Sequence, residues 1–170
     1  MTDTVACLDP FFGLSEDSAI HWPSLRRAAP SHMHSNMPLS RSTEAGRGRL
    51  VYVATPFRRH VIDDAGRFSP ALAIETAEKA HRWVRTLAVE GVTAISPIVL
   101  SVDLTAGSAD DLDPMDDGFW TAWFHPLLVR SQLVVIPPLP GWRESEGVWR
   151  EAITALRHGI PVHCIGEGNR

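Results

Sequence analysis

From Leu50 onward the chain alternates between two hydrophobic rhythms. LVYVA, at 50–54, is a short unbroken apolar run, the pattern of a strand buried on both faces of a parallel sheet. The loop TPFRRH follows it, and then the spacing becomes helical. In FSPALAIETAEKAHRWVRTLAVEG, Ile74, Ala77, Ala80, Val84 and Leu87 recur every three or four residues and make one buried stripe. Ser69 suits the cap of this helix, Pro70 its first turn, and Gly91 a left-handed stop. VTAISPIVL predicts a second strand over 92–99, with Pro97 near its end. A long loop over 101–118 carries Asp103, Asp110, Asp111, Asp113, Asp116 and Asp117. FWTAWFHPLLVRS predicts a second helix, interrupted near Pro126, and QLVVI a third strand at 132–136. The loop PPLPGWRESEG leads into a third helix that ends at Gly159, and a fourth strand lies near 161–165.

This alternation predicts an α/β domain over 50–170, a three-layer, Rossmann-like or flavodoxin-like fold with a parallel sheet. Ligands in such sheets bind outside the carboxyl ends of the strands. Three loops leave those ends: TPFRRH, the aspartate-rich segment and PPLPGWRESEG. Residues 1–49 read differently. Pro, Ser, His, Gly and Arg dominate 24–49 and no period persists, so 1–49 is expected to be a flexible leader.

Composition narrows the classes. With 170 residues and 44% hydrophobic content the chain suits one core of its own. A net charge of −4 argues against a nucleic-acid surface, and no apolar run approaches the roughly 20 residues of a membrane span. Cys7 and Cys164 stand at opposite ends and make no disulfide framework; with no signal peptide visible, a reducing, cytoplasmic setting is expected. The histidines are scattered, so no metal site is expected, and neither a phosphate-loop lysine nor a dinucleotide fingerprint is present to imply a cofactor.

The candidate chemistry lies in GWRESEGVWREA, at 141–152, where three acids, two arginines and two tryptophans lie close together. Glu and Arg at this spacing commonly decorate a solvated helix. Glu151, however, falls beside the apolar stripe of Val148, Ala152, Ala155 and Leu156, on the side that meets the sheet, whereas Arg150 and Arg157 fall nearer the solvated side. A carboxylate there is costly unless something pairs or uses it. Its position near a helix start favours an anion, and desolvation opposes it. Gly147 is expected to let the backbone turn closely into the helix.

LVYVATPF, SPIV, FWTAWFHPLL and above all PGWRESEGVWREAITALRHGIPV resemble a bacterial and phage domain-of-unknown-function family, DUF1937-like, grouped with the nucleoside 2-deoxyribosyltransferases and related nucleotide N-glycoside hydrolases. The resemblance covers Leu50 to about Ile165. It implies a transferase-like fold and places the nucleophilic glutamate on Glu151. It also places the sugar or phosphate pocket on Tyr52, Thr55, Pro56, Phe57 and Arg58, with Ser145 and Gly147 in the helix-start pattern. Ser145 stands where the transferases have an aspartate that orients the base. The aspartate after the second strand has Asp103 as its nearest counterpart, and Asp103, Asp116 or Asp117 is available to protonate or hold the base. Trp142 and Trp149 are candidates to stack on it, with ordinary packing as the alternative. The implied partner is a nucleoside or nucleotide, and a homo-oligomer is compatible with the sequence. Two other classes stay open: a non-catalytic nucleotide sensor and a structural or partner-binding domain.

Overall fold

A computed structural model of the chain describes residue 11 and residues 14–106 and 111–168. Five parallel strands form one sheet: β1 (Met33–Met37), β2 (Leu50–Val53), β3 (Thr93–Ile95), β4 (Leu133–Ile136) and β5 (Val162–Ile165). Their order is β1-β5-β4-β2-β3, with Tyr52 opposite Val134 and Val134 opposite Val162. The helices are α1 (Trp22–Ala28), α2 (Leu39–Gly46), α3 (Pro70–Val89), α4 (Pro97–Thr105), α5 (Asp117–Arg130) and α6 (Glu146–Arg157). The fold is Rossmann-like, with three layers.

Alternation along the strands divides the core. Tyr52, Val134, Ile136, Val162 and Cys164 face α6, where Val148, Ala152, Ile153, Ala155 and Leu156 meet them. Val51, Val53, Leu133 and Val135 face the other way, against Trp83 and Leu87 of α3. Each fully buried aliphatic side chain contributes about 2 kcal/mol to this division. The helices that follow β2 and β4 therefore pack on opposite faces of the sheet. Two neighbouring parallel strands whose connections diverge in this way leave a crevice at their carboxyl ends.

The expected flexible leader through Arg49 needs correction. Leu25 is fully buried in the α6-side core, and β1 adds the fifth strand by pairing with β5, His34 opposite His163. α2 packs behind it, with Ser42 bonded to His163 at 3.1 Å. Three smaller expectations also change. Pro97 opens α4 rather than closing a strand: it has no amide to give a sheet, and its fixed φ suits a first helical turn. The expected loop from Ser101 thus begins as the end of α4. Ile74 is 53% exposed, since the buried stripe of α3 runs through Ala73, Ala77, Ala80, Trp83 and Leu87. α5 runs unbroken through Pro126, and the carbonyl that loses its helical donor belongs to exposed Ala122, where water can serve it.

Candidate functional site

A cavity of about 630 Å³ opens at the carboxyl ends of β2 and β4. Its floor is a pair of residues 99 positions apart, the Tyr52 hydroxyl donating to Glu151 Oε1 at 2.7 Å. Tyr52 is buried in β2 on the face that meets α6, and Glu151 sits in the second turn of α6. Burial pushes the Glu151 carboxyl from its ordinary 4.5 to about 7, against the opposing pull of the Tyr52 hydrogen bond and the Arg150 charge. Desolvation therefore wins the contest that the sequence left open. Burial, and then the Glu151 carboxylate, hold the Tyr52 phenol well above its ordinary range, so it stays a donor.

The mouth is charged. Arg58 Nη1 meets Asp117 Oδ2 at 2.5 Å, and Arg150 reaches the same oxygen at 3.7 Å and Glu146 at 3.8 Å. The Asp117 backbone is placed by the N-cap of α5, where Asp116 accepts from the Phe119 amide at 2.9 Å. α6 is capped by Ser145 and starts against the cavity, so its positive end faces the space between Arg58 and Arg150. One wall is aromatic: Trp120 and Phe124 of α5 stack at 5.6 Å, and Phe57 faces the same space. Thr55 Oγ1 is buried without a hydrogen-bond partner among the described residues, although Thr55 lines the cavity. Such atoms are rare in folded proteins and mark a place where a ligand or water completes the bonding.

The loop before α6 is shaped by Gly141, at φ 77°, where a Cβ would stand 3.1 Å from His60 Nε2. Gly147 differs from its expectation. It has no positive φ, and a Cβ added there would meet nothing closer than Ser145 Oγ at 3.9 Å. The backbone does not require glycine at 147; its absent side chain leaves room in the cavity wall.

Of the residues singled out from sequence, Tyr52, Thr55, Pro56, Phe57, Arg58, Asp117, Ser145, Gly147 and Glu151 line this one cavity. Asp103 stands elsewhere, on an exposed face of α4. Trp142 and Trp149 are also off its wall: both are buried and meet Trp22 edge-on at 5.1 and 5.2 Å. Asp110 lies outside the described residues. Several lining residues escaped sequence reasoning. Arg150, expected in solvent, is 24% exposed and points into the charged mouth. Glu16, His125 and Thr154 are among the others, and Glu16 comes from the segment expected to be a flexible leader. The burial of α6 residues on both sides of Glu151 is the signal that bears on Thr154; none in the sequence bears on Glu16.

The Cys164 thiol, buried in the core and pushed up to about 12, is no nucleophile. Among the described residues no group of three or more His, Cys, Asp or Glu side chains gathers to hold a metal. None of the described helices is long and apolar enough to cross a membrane. No curated protein matches the chain. A family model does, that of a domain of unknown function, DUF1937, over residues 49–167, which covers β2 to β5 and every cavity residue named above except Glu16. The chain belongs to the DUF1937 family.

Proposed function

We propose that the protein acts on the N-glycosidic bond of a nucleoside or nucleoside monophosphate, with Glu151 as the group that meets the anomeric carbon. The observation that carries this reading is the buried Glu151–Tyr52 pair on the floor of a strand-end cavity. A carboxyl buried this way costs the fold, and a fold keeps such a cost where the group has work to do. Breaking the bond develops positive charge on the sugar, which a carboxylate about 3 Å away stabilises or captures as a glycosyl ester. Tyr52 holds one carboxyl oxygen and leaves the other for the sugar. The resemblance of the 140–162 segment to the nucleoside 2-deoxyribosyltransferases supports the same role for Glu151.

The remaining walls fit such a ligand. A volume of about 630 Å³ lies within the usual small-molecule range of roughly 300–1,000 Å³. Trp120, Phe124 and Phe57 offer apolar faces to a base, and Thr55 Oγ1 offers an unpaired hydroxyl to the sugar. A 5'-phosphate suits the mouth, where Arg58, Arg150 and the start of α6 present positive charge. Ser145 in place of the transferases' aspartate favours a second reading, a sensor that binds the ligand without cleaving it. The two part on one experiment. Deoxynucleosides, ribonucleosides and their monophosphates are incubated with the protein, with and without an acceptor base, and free base is measured beside binding. Release that depends on Glu151 supports the glycosidase; binding without release supports the sensor; neither refutes both.

A further inference from the structure

The reaction proposed above needs a second group, because a departing base leaves more readily when a proton reaches it. The aspartates that the sequence offers are badly placed for this. Asp103 faces solvent on α4, Asp116 is the N-cap of α5, and Asp117 is engaged by two guanidinium groups. A different carboxyl lines the cavity. Glu16 Oε1 accepts from Thr154 Oγ1 at 2.6 Å, and Thr154 lies one helical turn after Glu151 on α6. Side chains three residues apart on a helix have Cβ atoms about 5–6 Å apart, so the Glu16 and Glu151 carboxyls stand on the order of 10 Å apart.

The segment that brings Glu16 is firmly held. Arg157 Nη2 donates to the Leu14 carbonyl at 2.7 Å, and Trp22 Nε1 donates to the Arg143 carbonyl at 2.9 Å. Trp22 packs edge-on against Trp142 and Trp149, and Leu25 is completely buried. Glu16 itself is partly buried, and its Oε2 has no hydrogen-bond partner among the described residues. The segment precedes the part of the chain that matches the family, so this wall of the cavity comes from outside the matched region.

We propose that Glu16 is a catalytic residue, which protonates the departing base and then activates water, and that residues 14–28 are part of the active site; this rests on the glycosidic reading of Glu151. In the first step the Glu151 carboxylate bonds to the anomeric carbon as the C–N bond breaks. The bonding pair goes to the base, and the base takes the proton of Glu16. In the second step water attacks the anomeric carbon and gives its proton to the Glu16 carboxylate. The sugar–Glu151 ester bond breaks, and both carboxyls return to their starting states. The sum is nucleoside plus water giving sugar plus base.

The test compares wild type, Glu16→Gln and Glu151→Gln on a purine nucleoside and on its 7-methylated counterpart, whose cationic base leaves without a proton. Circular dichroism verifies the fold of each, and rates are taken from pH 5 to 10. Glu16→Gln should lower release from the ordinary nucleoside by about 100-fold or more. It should leave the 7-methylated substrate within a few-fold of wild type. Glu151→Gln should fail on both substrates. Equal losses on the two substrates would reduce Glu16 to a structural prop and overturn the proposal. A Glu16→Gln rate equal to wild type, with Glu151→Gln inactive, removes this proposal alone. A wild type silent on both substrates removes it together with the reading of Glu151.

Discussion

Replacing Glu151 with Gln should make the protein more stable above neutral pH and change little in acid. The carboxyl titrates at about 7 in the folded protein, against an ordinary 4.5. Between those values the folded state holds a proton that the unfolded chain has lost, so stability falls as pH rises through the window. At about 1.4 kcal/mol per pKa unit, the full cost above pH 8 is about 3 kcal/mol. Below pH 4.5 both states are protonated and no cost remains. Gln keeps the shape and the acceptor for the Tyr52 hydroxyl and cannot ionise, so it escapes the cost. Urea unfolding of both proteins at pH 4, 5.5, 7 and 8.5 measures the gap. It should open from within about 1 kcal/mol at pH 4 to about 3 kcal/mol at pH 8.5, or about 6–12 °C in Tm for a chain of this size. Parallel stability curves across the whole range would show that Glu151 is not held in a desolvated site, and the argument from its cost would fall.

The other predictions concern its neighbours. Tyr52→Phe removes the hydrogen bond that opposes the burial shift of Glu151, so the midpoint of the rising limb of base release should move above about 7; an unmoved midpoint would deny the pairing. His163, packed against Ser42 and His34, is driven by burial, and then by His34, from 6.5 down to about 4. The unfolded chain therefore binds the extra proton between these values, and wild type should lose about 3 kcal/mol as pH falls from 6.5 to 4. His163→Gln should lack that loss in the same urea series, and a loss as large as wild type's would refute it. Arg58→Ala should weaken calorimetric binding of a nucleoside monophosphate about tenfold and leave the nucleoside nearly unchanged, since a guanidinium suits phosphate oxygens. An equal effect on both ligands would remove the phosphate role.

What the sequence revealed followed its periodicities. LVYVA and QLVVI are continuous apolar runs because β2 and β4 are buried on both faces, and each stands out against its flanks. Glu151 was visible because α6 has a sharp apolar stripe and a carboxylate beside it breaks the pattern. β1 was hidden for the opposite reason. MHSNM is an edge strand with only Met33 fully buried, and it is held by backbone pairing to β5, which no side-chain pattern records. Asn36, at φ 56°, interrupts even that register. α1 has an unusual cap, the ring of His21 accepting from the Ser24 amide, so the usual Ser, Thr, Asp or Asn signal is missing at its start. Glu16 meets Thr154 across 138 residues, a contact that only the folded chain makes.

The most direct test of the central claim is free-base release from the nucleoside and nucleotide panel by wild type and Glu151→Gln, side by side at pH 8, where the carboxyl is mostly ionised. The account predicts release by wild type and a loss of at least about 100-fold in a folded Glu151→Gln protein, because an amide neither attacks nor neutralises the developing cation. Base release retained at the wild-type rate by folded Glu151→Gln would contradict it.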